Sequence, residues 1–178
     1  VYENIDLPEG LQVGYIQGAG DDAPQAMAQL GIPVKILDAA TLTMADLQGL
    51  TSVVLGIRAY NVNQGLAAAA SVLDTWVKEG GHLVIQYNTA TRDQVTDHMG
   101  PVPFKLGRDR VTVEETPVHV LAALHPMMRY PNALSLKDFD GWVQERGLYF
   151  ASEWDPAFVP LIEWADPGET MKQGAWIT

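Results

Sequence analysis

Apolar residues collect in short runs that each give out into a polar turn. The run Gly81-His-Leu-Val-Ile-Gln-Tyr-Asn-Thr89 reads as a buried strand entering such a turn. Two others behave alike: Val13-Gly-Tyr-Ile-Gln-Gly18 before Ala19-Gly-Asp-Asp22, and Ser52-Val-Val-Leu-Gly-Ile57 before Arg58-Ala-Tyr-Asn61. The run at 52–57 carries no charge, as a strand covered on both faces should be. Between the runs the period changes. Asp22 followed by Pro24 supplies an N-cap and a first-turn proline for a helix over residues 23–30, Gly31 ends it, and Val34-Lys-Ile-Leu37 returns as a strand. Thr43 is placed to cap a short turn through Met44, Leu47 and Leu50. Leu66, Ala69, Ala70, Leu73, Trp76 and Val77 recur at helical spacing, predicting a helix over residues 65–78 that Gly80-Gly81 terminates. The order is β-α-β-α-β-α-β. Right-handed crossovers make this a doubly wound, mostly parallel α/β sheet in the order 2-1-3-4.

Beyond Asn88 the pattern breaks. Pro101, Pro103, Pro117, Pro126 and Pro131 divide the chain into short pieces, with strands expected at 102–106 and 110–113. Two further strands are expected at 158–164 and 175–177, separated by a turn at Asp166-Pro-Gly168. The second half is therefore loop-rich and β-containing.

Composition narrows the classes. A chain of 178 residues suits one domain with a full core, so a single domain over 1–178 is expected. Eleven basic against twenty-two acidic side chains give a net charge of -11, which repels phosphate backbones and excludes nucleic acid as an expected partner. No apolar run approaches the roughly 20 residues that span a bilayer, so no membrane insertion is expected. Cysteine is absent, which removes disulfides, thiolate metal sites and a thiol nucleophile. The chain starts at Val1 without a signal-peptide pattern and stops at Gly174-Ala-Trp-Ile-Thr178 in the middle of an apparent strand; it reads as a piece of a longer, multidomain protein.

Three strands ending in polar residues place those residues along the carboxyl edge of the sheet, where ligands sit in open α/β folds. Arg58, Tyr60 and Asn61 would flank the switch point beside Gly18 and Asp21. Arg58 there either clamps a carboxylate or sugar hydroxyl, or pairs with Asp21 or Asp22 to hold two loops together. Gly18-Ala-Gly-Asp-Asp-Ala23 partly fits a dinucleotide fingerprint, but Asp21 and Asp22 would crowd carboxylates against a pyrophosphate. A glycine turn with an N-cap is the plainer account. The turn at Tyr87-Asn88-Thr89 occupies the place of a nucleophile elbow, yet offers no activated nucleophile, and His82 lies at the opposite end of the same strand.

His82, His98, His119 and His125 lack the tight spacings of zinc ligands, so neither a metal nor a cofactor is expected. In the second half Asp138, Asp140, Glu145 and Glu153 interleave with Trp142, Tyr149 and Trp154, the mix of flat apolar faces and carboxylates that sugar sites use. Two such carboxylates about 5 to 10 Å apart could run glycoside hydrolysis. Alternatively Trp142, Phe150 and Trp154 are core and the charges a solvated face.

Taken together, Gly18-Ala-Gly-Asp-Asp22, Val54-Leu-Gly-Ile-Arg-Ala-Tyr-Asn61, Gln86-Tyr-Asn88, Gly107-Arg-Asp-Arg-Val111, His125-Pro126 and the stretch from Asp138-Phe-Asp-Gly-Trp142 to Glu153-Trp-Asp155 resemble the domain that follows the deacetylase domain in large PIG-L/LmbE-family proteins. That domain is similar in turn to ThuA-like and type 1 glutamine amidotransferase-like folds. The resemblance covers nearly the whole chain. It implies a flavodoxin-like three-layer sandwich, a parent protein of the kind that removes N-acetyl groups from sugars with zinc, and often export. The family's zinc motif of the His-Pro-Asp-Asp kind has no counterpart here, since Asp21-Asp22 is not preceded by His-Pro, and the amidotransferase elbow Cys is replaced by Tyr87-Asn88. The expectation is a non-catalytic accessory domain that binds carbohydrate or packs on the catalytic domain of the same polypeptide. Its site would gather Asp21, Arg58, Tyr60, Asn61, Tyr87, Asn88 and Trp142. The alternative is a sugar hydrolase using Asp140 or Glu145 with His125 as acid and base.

Overall fold

The computed structural model describes residues 5–92, 94–143 and 146–178. Its contacts divide the chain into two compact units, one of Leu7–Pro103 and the other of residues 5–6 with Phe104–Thr178.

The first unit is a four-stranded parallel sheet with helices, an α/β arrangement, in the order β2-β1-β3-β4. The strands are β1 (Val13–Ile16), β2 (Val34–Leu37), β3 (Ser52–Leu55) and β4 (His82–Ile85). The expected order 2-1-3-4 is the observed one. Register runs straight across, with Tyr15 opposite Ile36 and Val54, and Val54 opposite Val84. β1 and most of β3 are buried, as their uncharged runs require, whereas the edge strands include exposed positions, Lys35 and Ile36 in β2 and His82 and Val84 in β4. Val13, Tyr15 and Val54 form a core cluster with Ala23 and Met27 of α1 (Ala23–Gln29). α2 (Met44–Leu47) is a single turn whose start is closed reciprocally by Thr43 and Asp46. α4 (Leu66–Lys78) buries Leu66, Ala69, Leu73 and Trp76, the stripe that its periodicity predicts.

Two local expectations need correction. Asp22 holds the N-cap position of α1 but its side chain makes no capping bond; Asp21 accepts from the Ala23 N–H at 3.0 Å instead. Residues 59–62, expected as a polar turn, form a short helix, α3 (Ala59–Val62), entered through Arg58 at φ 56°, ψ 26°. That left-handed backbone lets the chain leave β3 and turn immediately into a helical turn.

The second unit is built from short antiparallel pieces: β5 (Phe104–Leu106) with β9 (Ala151–Trp154), β6 (Arg110–Val111) with β8 (Gly147–Leu148), and β7 (His119–Val120) with β10 (Ile162–Glu163). The expected strand at 175–177 is reduced to one bridging contact, Ile177 with Pro160, and Lys172, before it, bridges to Trp164. The core gathers Val111, Val118, Met128, Phe139, Phe150, Leu161, Ile162 and Trp164. Trp164 is its hub, with Phe139 and Trp142 edge-on at 6.3 and 6.1 Å.

Candidate functional site

The carboxyl edge of the parallel sheet is assembled from three loops. After β1, Tyr15 lies fully buried and points its hydroxyl at Asp21, donating at 2.6 and 2.8 Å to its two oxygens. Asp21 also accepts from the Ile57 N–H at 3.2 Å, across from the loop after β3. Burial pushes the Asp21 carboxyl up, but bonds from the Tyr15 hydroxyl and the Ala23 and Ile57 amides outweigh it and hold the group below the usual carboxylate range. The same burial, with the Asp21 contact, raises the Tyr15 phenol well above its ordinary value.

The loops after β1 and β3 are joined backbone to backbone. Ala19 N–H donates to the Ile57 carbonyl at 2.7 Å and Gly56 N–H to the Ile16 carbonyl at 2.9 Å. A Cβ on Gly18 would lie 2.1 Å from the Ile57 oxygen, and one on Gly56 would lie 2.4 Å from the Tyr15 hydroxyl. These glycines permit loop to close on loop.

The loops after β3 and β4 are laced in the same way. Arg58 N–H donates to the Tyr87 carbonyl at 2.6 Å, and Tyr60 N–H to Asn88 Oδ1 at 2.9 Å. Asn61 exchanges two bonds with Thr89, giving its amide Nδ2–H to the carbonyl at 3.1 Å and taking the N–H on Oδ1 at 2.9 Å. Asn88 completes its own turn by donating to the Gln86 carbonyl at 2.7 Å. Tyr60, Asn61, Asn88 and Thr89 are all buried. A buried side-chain amide satisfied by backbone on both ends replaces the ladder that the chain loses where the strands stop.

Six of the expected residues, Asp21, Arg58, Tyr60, Asn61, Tyr87 and Asn88, therefore share one edge, but in unequal roles. Asp21, Tyr60, Asn61 and Asn88 hold the loops. Arg58 and Tyr87 face outward, with Tyr87 38% exposed. The expected pairing of Arg58 with Asp21 or Asp22 is not made: its guanidinium has no hydrogen bond or ion pair among the described residues. The strained backbone also falls at Arg58, whereas the elbow was expected at Tyr87-Asn88.

Sequence reasoning missed one side-chain contact beside this edge. His98 Nε2 lies 2.7 Å from Asp74 Oδ2, and Asp74 Oδ1 is buried without a hydrogen-bond partner among the described residues. Burial, then the Asp74 charge, raises the Tyr60 phenol far above its usual value. Asp74 sits on a helix whose legible signal is apolar periodicity, 24 residues before its partner, so nothing in the sequence joins the two.

The remaining expected residues belong to the second unit. Trp142 is 41% exposed and anchored by its Nε1–H to the Asp138 carbonyl at 3.1 Å, with the buried Arg146 guanidinium 5.9 Å from its ring. Phe150 is core, Trp142 is not, and the central Trp164 was not singled out. Asp140 is exposed. His125 is half-buried and uses Nδ1 to accept from the Met127 N–H at 3.3 Å, closing a turn. Glu145 lies outside the described residues. Among the described residues no group of three His, Asp or Glu side chains is placed to hold a metal ion, and no helix is long and apolar enough to cross a membrane.

No family model matches the chain, and no curated protein matches it.

Proposed function

We propose that the chain is a non-catalytic, amidotransferase-like accessory domain of a PIG-L/LmbE-type sugar N-deacetylase protein, which binds carbohydrate or packs on the catalytic domain. One observation carries this reading. At the edge where an amidotransferase would present its nucleophile, Asp21, Asn61 and Asn88 are spent on loop backbone, while Arg58 and Tyr87 stay exposed. A flavodoxin-like sandwich is the fold this reading takes. It is supported by the strand order: β1→β2 and β3→β4 run in opposite directions across the sheet, so crossovers that follow the right-handed rule would send α1 and α4 to opposite faces.

The test is an amide NMR titration with N-acetylglucosamine oligosaccharides and, separately, with a PIG-L/LmbE-type deacetylase domain. Shifts at residues 58–61 and 86–89 with the sugar support the binding form, and shifts with the domain support the packing form. Silence from both, or turnover of the sugar, sinks the proposal.

A further inference from the structure

The outward surface of the carboxyl edge has one feature that loop architecture does not explain. Arg58 adopts φ 56°, a region that disfavours an L-residue and that Gly or Asn would enter more readily. Its backbone is fully used, with N–H to the Tyr87 carbonyl at 2.6 Å and carbonyl to the Asn61 N–H at 2.9 Å, so the turn itself needs no arginine side chain. The guanidinium is exposed and takes no partner among the described residues. Asp21, the acid expected to neutralise it, is turned inward onto Tyr15, Ala23 and Ile57. Arg92, on the loop after β4, is likewise exposed and unpaired among the described residues. Two cations on the loops after β3 and β4, one of them at a left-handed backbone position, thus have no ion pair among the described residues.

We infer that the edge recognises an acid group, carboxylate or phosphate, on a saccharide, with Arg58 as its bidentate clamp. The guanidinium fork matches two oxygens of either group, and its fixed backbone lowers the ordering cost of binding. This inference rests on the carbohydrate form of the reading above.

The test is calorimetric titration of the domain with glucuronate, glucose 6-phosphate, methyl glucoside, and the non-sugar acids acetate and inorganic phosphate. Arg58→Gly and Arg58→Lys are compared with the wild type. Glucuronate or glucose 6-phosphate should bind at least tenfold more tightly than methyl glucoside, and weaken as salt rises. Which of the two is favoured distinguishes carboxylate from phosphate. Arg58→Gly should lose the preference while melting at the same or a higher temperature, because glycine accepts the left-handed backbone; Arg58→Lys should retain part of the preference. Equal binding of methyl glucoside, or a preference surviving in Arg58→Gly, overturns the inference. A fall in melting temperature in Arg58→Gly with binding intact assigns Arg58 a structural role and also overturns it. If acetate or phosphate binds as tightly as the sugar acids, the acid clamp stands and the sugar reading fails. If nothing binds, both fall.

Discussion

Asp21 gathers bonds from a phenol, a helix start and the neighbouring loop onto one carboxylate. Its pKa is lowered on folding, so its contribution to stability is present above the unfolded value near 4 and is lost as pH falls through the depressed folded value. Asp166 does the same in the second unit, where burial is outweighed by the Val113 and Thr112 amides and the Thr112 hydroxyl. Urea midpoints should therefore drop below about pH 4, and the drop should shrink in Asp21→Asn and Asp166→Asn. At neutral pH Asp21→Asn should cost about 2 kcal/mol, the scale of hydrogen bonds to a charged group. Tyr15 and Tyr60 act at the other extreme. Their phenols are raised, so the unfolded chain loses these protons first and stability should fall as pH climbs past about 10. Tyr15→Phe should flatten that alkaline limb.

At the level of elements, the lacing between α3 and the loop after β4 carries the sharpest prediction. Asn61→Ala removes two bonds and leaves the buried Thr89 amide groups unpaired, which should cost about 2–4 kcal/mol in thermal or chemical unfolding. His98→Ala cuts a contact between two side chains, one of them about half exposed, and should cost under about 1 kcal/mol. The four parallel strands and α4 were legible because burial on both faces, or on one stripe, writes itself into the chain as a run or a period. α3 was not, because four residues carry no period and the turn is decided by the backbone of Arg58. The short antiparallel pairs of the second unit were only half legible. His119–Val120 and Gly147–Leu148 are strands through their partners across the pair, Ile162–Glu163 and Arg110–Val111. At the site, the sequence indicated which residues share the edge, since strand ends are legible; it did not indicate that Asn61 and Asn88 turn inward while Arg58 turns out.

Across the whole chain, a net charge of -11 means self-repulsion that salt relieves. Raising ionic strength from about 0.01 to 0.15 M shortens the screening length from roughly 30 to 8 Å, and the melting temperature should rise with it. Within the parallel sheet, amide exchange should be slowest in β1 and β3, which have neighbours on both sides, and faster in the edge strands β2 and β4. The closing of the loops on one another has a thermodynamic consequence. With Gly18 against Ile57, Asn61 against Thr89 and Tyr60 against Asn88, the backbone segments that these contacts join are already ordered before a ligand arrives. Association there should leave the backbone where it stands. Calorimetry should record little entropic penalty from the protein, and the edge should accept only what already fits it.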